Sequence, residues 1–237
     1  MGDFNNKVVI VTGAAGALGR AVTEHFLSRD ASVACLDYSE DLLTGAFPDS
    51  KAKSKLFTIV ADLNQRTSCK EAIATIKNQF GQIDILANIA GGFMMGDPVH
   101  ATNDETWDFL FNLNTRSIVY TSSEVVPIML EQGAGKIVNI AARAAVAGAK
   151  NMGAYTASKA AVMRLTESMA LELREQNINV NCILPGTIDT ERNRSDMPNA
   201  DYSKWVPTSD LANVIGFLCS EESSAVNGAG IPVYGLS

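Results

Sequence analysis

The chain has 237 residues, 46% hydrophobic and 19% charged, with a net charge of −7. This is the balance of a globular protein with a large core, and it excludes a disordered or fibrous chain. Lysines and arginines are scattered without a basic stripe, which excludes nucleic acid as a partner, and the acidity serves solubility.

The opening MGDFNNKVVIVTG enters a strand at once, with no long apolar run followed by a cleavage site. No segment reaches the ~18 consecutive apolar residues of a membrane span. A cytoplasmic protein without membrane contact is expected. Short β-branched runs predict strands at Lys7–Thr12, Ser32–Asp37, Lys55–Val60, Ile83–Asn88, Lys136–Ile140, Asn179–Leu184 and Ile231–Tyr234. Helical patterns fall between them, near 17–29, 65–80, 104–132, 152–175 and 208–219. Strands alternating with helices predict an α/β fold, a doubly wound parallel sheet of about seven strands with helices on both faces. VVIVT and INVNCIL are apolar at nearly every position or on both sides, as doubly covered strands should be. No repeat or composition shift divides the chain, so residues 1–237 are expected to form one domain. The polar, proline-broken stretch at about 186–207 is a candidate lid over a substrate.

Cys35, Cys69, Cys182 and Cys219 lie far apart, and His25 and His100 are the only histidines. Neither a zinc site nor a Cys/His nucleophile pair is expected, but rather reduced, mostly buried thiols and no metal.

The turn after the first strand reads Thr12-Gly13-Ala14-Ala15-Gly16-Ala17-Leu18-Gly19 and then opens an apolar helix. Glycines permit the tight turn, and small residues let backbone N–H groups approach a pyrophosphate at the helix N-terminus. Asp37 closes the next strand, 18 residues beyond Gly19, where a carboxylate accepts hydrogen bonds from an adenosine ribose. Its charge repels a 2′-phosphate, and no Lys or Arg follows until Lys51, which favours NAD over NADP.

Tyr155 and Lys159 in AYTASK stand four residues apart, on one face of a helix. A free phenol titrates near ~10 and is a poor acid or base at neutral pH. A positive charge at ~4 Å contributes ~4 kcal/mol at an effective dielectric of ~20. That corresponds to roughly three pKa units, which would bring the phenol near neutrality.

These motifs resemble the short-chain dehydrogenase/reductase family over essentially the whole chain. The family's T-G-x-x-x-G-x-G pattern is met at Thr12, Gly13 and Gly19, with Ala17 at the middle glycine and Gly16 beside it. The adenine-contacting aspartate corresponds to Asp62, the Asn-x-Ala-Gly stretch to Asn88-Ile89-Ala90-Gly91, and the Tyr-x-x-x-Lys pair to Tyr155 and Lys159. The nicotinamide-facing segment corresponds to Pro185-Gly186-Thr187-Ile188-Asp189-Thr190. The resemblance implies a Rossmann-type single domain and a hydride exchanged between nicotinamide and a small carbonyl, alcohol or quinonoid substrate. Tyr155 is then the general acid/base, Lys159 binds the nicotinamide ribose, and Asn114 helps carry a water relay to the lysine. It further implies that Ala15, Leu18, Tyr38, Leu63, Ile140 and Thr190 line the dinucleotide.

The family's serine, 13 residues before the tyrosine, falls on Ala142, and Ala141 also lacks a hydroxyl. Losing one oxyanion donor costs ~10²–10³ in rate. Asn151 or a water replaces it, or the substrate needs little polarisation, or turnover is slow or absent. Arg143 is a further polar substitute. The dihydropteridine reductases resemble the chain more closely in the glycine turn, the missing serine, Ala90-Gly91-Gly92-Phe93 and the lid wording; Asn114 and the Asn88 stretch resemble ordinary family members. A dihydropteridine-reductase-like activity, or an NAD-binding redox sensor or scaffold, is therefore the alternative.

Three further groups carry open readings. Arg192 and Arg194 either bind a substrate anion or face solvent. Phe93, Met94 and Met95 either line an apolar pocket or pack in the core. Surplus apolar faces on the helices near 107–130 and 152–175 suggest subunit pairing, and the resemblance implies a homotetramer or homodimer.

Overall fold

The computed structural model describes residues 4–50 and 54–236; Lys51 lies outside them. Seven strands form one parallel sheet: β1 (Val8–Thr12), β2 (Ser32–Asp37), β3 (Leu56–Val60), β4 (Ile85–Asn88), β5 (Gly135–Ile140), β6 (Ile178–Pro185) and, last, Gly230–Val233. Spatial order from one edge is β3-β2-β1-β4-β5-β6, with Gly230–Val233 at the far edge. The order reverses between β1 and β4, and crevices form outside the carboxyl ends of strands at such a switch point.

Alternation along β1 shows why both faces must be covered. Val9 and Val11 pack with Leu18, Val22 and Phe26 of the first helix and with Leu211, Ile215 and Leu218 near the C-terminus. Val8 and Ile10 face the other way, against Ile73, Ile76, Val125 and Met129. Each such aliphatic side chain contributes roughly 1.5–3 kcal/mol when fully buried.

The helices in chain order are α1 (Ala17–Leu27), α2 (Glu40–Ala46), α3 (Arg66–Phe80), α4 (Asp104–Phe111), α5 (Ser117–Gln132), α6 (Gly153–Leu173), α7 (Glu191–Asp196) and α8 (Thr208–Cys219). The strands and long helices lie within about two residues of their predicted bounds. Three features differ from the sequence expectation. The stretch 104–132 is two helices joined by a π-helical turn at Asn112–Arg116. The short α2 was not expected; Ser39 caps it and only Leu43 is buried. The lid stretch holds order of its own: Ile188–Asp189 (β7) pairs with Val206–Pro207 (β8), so the strand at Gly230–Val233 is β9. Between them α7 is capped by the Thr190 hydroxyl, which accepts from Asn193 N at 3.1 Å.

Among the described residues no helix is long and apolar enough to cross a membrane. All four cysteines are free and buried. Burial pushes the Cys35 and Cys219 thiols up to about 12 and those of Cys69 and Cys182 up to about 11.

Candidate active site

The residues expected at a dinucleotide fall at or just beyond the carboxyl ends of β1 to β6, on one edge of the sheet. Gly13 has φ +60, and a Cβ there would stand 2.8 Å from Ala90 Cα, so the turn presses on the loop after β4. A Cβ on Gly19 would collide with the carbonyl oxygen of Gly13 and the backbone of Ala14. Ala17, at the middle-glycine position, is the first residue of α1, while Gly16 is the N-cap. That cap makes no side-chain hydrogen bond, which leaves the N–H groups of the first turn for an anion. A turn that admits no Cβ at Gly13 or Gly19, opening onto an uncapped helix, fits a pyrophosphate.

Asp37 is buried against this turn. Its Oδ2 accepts from Ala15 N at 3.0 Å and its Oδ1 from Tyr38 N at 2.9 Å. The carboxylate therefore braces the glycine turn, and each oxygen keeps a second lone pair. Tyr38 is exposed beside it. Asp62 lies on the surface after β3, its Oδ1 accepting from Asn64 N at 2.9 Å, whereas the Leu63 and Leu18 side chains belong to the core.

Asn88 ends β4. Its amide donates to Asn139 Oδ1 at 2.8 Å and its carbonyl accepts from Thr121 Oγ1 at 2.9 Å, so the side chain ties β4 to β5 and α5 beneath the edge. Ala90 N donates to Thr12 Oγ1 at 3.1 Å, joining β1 to the same loop. On the other side, Pro185 ends β6, Gly186 N donates to Val233 O at 2.9 Å, Ile188 pairs with Val206, and Thr190 is spent on the α7 cap.

Asn114, Ser158 and Lys159 converge on the Gly91–Gly92 backbone. A Cβ on Gly91 would stand 3.0 Å from Asn114 Oδ1 and 3.1 Å from Lys159 Nζ. The π-helical turn carries the buried Asn114, whose Oδ1 accepts from Gly92 N at 2.8 Å. Its Nδ2 donates to Gly92 O at 3.1 Å and to Ser158 Oγ at 3.0 Å. Ser158 Oγ in turn donates to Tyr155 O at 2.8 Å. Local widening of a helix is often found at functional sites, and here it brings an amide onto the loop after β4. Ser158 was missed by sequence reasoning, although its place three residues after Tyr155 puts it on the same helix face.

Tyr155 stands one turn before Lys159 on α6, its ring edge-on to Phe93 with centroids 4.9 Å apart. Among the described residues its hydroxyl has no hydrogen bond. The expectation of a phenol near neutrality is not met: burial pushes Tyr155 up to about 12. The physical reason is desolvation, which disfavours the phenolate. Lys159 is itself buried, its ammonium donating to Ile140 O at 2.8 Å, and burial lowers it to about 8.

Ala142 leaves the end of β5 extended and buried, with a methyl group where a hydroxyl would donate. Arg143 does not replace it, since its guanidinium lies over the Tyr234 ring at 5.9 Å. Phe93, Met94 and Met95 are 51%, 39% and 61% exposed, a surface cluster beside Tyr155 and not core. In the lid, Arg194 makes a two-pronged pair with Asp189 at 2.6 and 2.7 Å and covers the Tyr202 ring at 4.9 Å. The guanidinium holds the Asp189 carboxyl below its usual range. Arg192 lies 3.8 Å from Asp196. A substrate anion would have to displace these carboxylates.

Comparison with known proteins agrees with this geometry. Residues 7–201 match the family model described as short chain dehydrogenase. The 7alpha-hydroxysteroid dehydrogenase of Bacteroides fragilis is 33% identical over 251 aligned positions, covering 99% of this chain and 95% of its own. The 2-(R)-hydroxypropyl-CoM dehydrogenase of Xanthobacter autotrophicus is 35% identical over 244 positions, covering 97% and 98% respectively. A crystal structure of NAD+-bound xylitol dehydrogenase superposes with a TM-score of 0.90 at 27% identity, over 98% of this chain and 99% of that one. Matched along nearly its whole length in sequence and in fold, the chain belongs to the short-chain dehydrogenase family and is an oxidoreductase of that family.

Proposed function

We propose that the protein interconverts a secondary alcohol and its ketone, preferring NAD(H), with Tyr155 as general acid/base. The observation that carries this reading is the meeting of Asn114 and Lys159 at Gly91, beside an unpaired Tyr155 hydroxyl and on the same sheet edge as the glycine cradle. The two relatives named above are called dehydrogenases of hydroxy compounds, which supports an alcohol substrate.

Gly13, Ala15 and Gly16 would shape the turn, the first-turn N–H groups of Ala17, Leu18 and Gly19 would hold the pyrophosphate, and Asp37 the adenosine ribose. Lys159 would hold the nicotinamide ribose hydroxyls, and the segment from Pro185 to Thr190 would close over the ring. Once bound, the nicotinamide supplies the two-electron chemistry by accepting or returning a hydride at the alcohol carbon. Tyr155 handles the proton. In reduction its phenol, protonated at neutral pH, gives the proton to the substrate oxygen as the carbonyl carbon gains the hydride. In oxidation the tyrosinate takes that proton back. Lys159 holds positive charge behind the phenol, and Asn114 fixes the Gly92 backbone that borders both groups. Phe93, Met94 and Met95 give the entrance an apolar wall.

Asp37 supports NADH over NADPH, because a carboxylate at the ribose opposes a 2′-phosphate. Exposed Trp107 and Phe109 on α4, Val119 and Leu130 on α5 and Leu171 on α6 support pairing into a homodimer or homotetramer. A cytoplasmic location suits the free, buried thiols. The likeness to dihydropteridine reductases rests on the wording of the glycine turn, the absent serine and the lid.

The test is a panel read at the nicotinamide absorbance. It offers secondary alcohols with NAD+, and diketones, 3-oxoacyl thioesters and a quinonoid dihydropteridine with NADH. Turnover of an alcohol–ketone pair is the expected result. Tight NADH binding with no turnover anywhere on the panel would replace this reading with a cofactor-binding sensor.

A further inference from the structure

With a methyl group at Ala142, the reacting substrate oxygen has Tyr155 as its one clear donor unless another side chain reaches it. The polar groups around Tyr155 can be taken in turn. Asn114 spends its amide on Gly92 and Ser158, Ser158 gives its proton to Tyr155 O, and Lys159 donates to Ile140 O. Arg143 lies over Tyr234. Asn151 is different: among the described residues its side-chain amide has no hydrogen bond.

Its placement is fixed by backbone. Asn151 adopts φ +58, in the left-handed region, immediately before α6 begins at Gly153. Its carbonyl accepts from Gly96 N at 2.9 Å, which anchors it to the loop after β4. Asparagine is among the few residues that tolerate this conformation, so the chain meets the backbone requirement while keeping a polar side chain that glycine would lack. Side chains on a helix lean toward its N-terminus, so Tyr155 tilts over the turn that holds Asn151. Both residues line one surface depression together with Met94, Gly96 and Thr106.

We propose that the side-chain amide of Asn151 donates the second hydrogen bond to the substrate oxygen, replacing the hydroxyl absent at Ala142. This rests on the dehydrogenase reading above. The role is that of an oxyanion donor, whose worth grows as negative charge develops on the oxygen.

The experiment uses the full chain, NADH and the substrate pair found on the panel. Asn151→Gly keeps the left-handed backbone and deletes the amide. Its kcat should fall by about 10²–10³-fold, the usual loss for one such donor. Its NADH affinity, from a fluorescence titration, should stay within about twofold of the parent. Adding Ala142→Ser to Asn151→Gly should restore at least about tenfold in kcat, whereas Ala142→Ser alone should change the parent by less than about threefold. The rescue separates a donor from a merely structural role. A kcat for Asn151→Gly within about threefold of the parent, or a loss that Ala142→Ser does not recover, overturns the inference. If Tyr155→Phe is inactive in that same case, the dehydrogenase reading survives alone. A parent enzyme inert across the whole panel overturns both.

Discussion

Lys159 Nζ donates to the carbonyl oxygen of Ile140 at 2.8 Å, two residues before Ala142. The ammonium and the position lacking a hydroxyl thus flank the same strand end. The lysine is held by β5 and lowered to about 8 by burial, while the phenol one turn earlier is raised to about 12. The two shifts run in opposite directions because burial disfavours the charged form of each group.

Replacing that proton is the most direct check. Tyr155→Phe keeps the ring against Phe93 and removes only the hydroxyl, so turnover should fall by ~10²–10⁴-fold. NADH affinity should be nearly unchanged, as measured by fluorescence titration. Turnover that survived the substitution would take the phenol out of the mechanism.

The lysine sets a pH signature. Below its lowered value of about 8 the ammonium is present, and above it the charge is lost. Reductive kcat should therefore be flat from pH 6 to 7 and decline as pH rises through about 8. The sign follows from the charged form being the active one. A profile flat to pH 10 would show that the ammonium is not needed.

Crowding makes Gly19 a test of the phosphate cradle. Gly19→Ala drives a methyl group into the carbonyl of Gly13 and the backbone of Ala14, neither of which can rotate away. NADH affinity should drop by at least about tenfold, equivalent to ~1.4 kcal/mol, and the melting temperature should fall with it. Unchanged affinity would mean that the pyrophosphate does not use this turn.

Asp37 braces Ala15 N, and the proposed function gives it the ribose as well. Asp37→Ala should narrow the preference for NADH over NADPH by about tenfold, read as the ratio of kcat/KM values. It should also weaken both cofactors, because the turn loses its brace. A ratio that does not move would show that the carboxylate does not read the ribose.

Much of this was legible beforehand. The runs VVIVT and INVNCIL show their burial on two faces in their own letters, and the glycine turn shows its need for close approach. The short α2 and α7, seven and six residues long, span too few turns for a periodic pattern to register. The π-helical turn at Asn112–Arg116 left no mark either, because α4 and α5 read as one amphipathic run through it.

Asn88 and Tyr155 show where local reading stops. Nothing near Asn88 in the chain shows that its amide meets Asn139 and Thr121, brought in from β5 and α5. For Tyr155, spacing along the chain showed a cation one turn away and predicted a lowered pKa. The positions of the strands, the glycine turn and the Tyr155–Lys159 helix face were legible in the amino-acid sequence alone, because they depend on patterns within a few residues. Whether that phenol holds or releases its proton was decided only by tertiary structure, because desolvation sums over neighbours from distant parts of the chain.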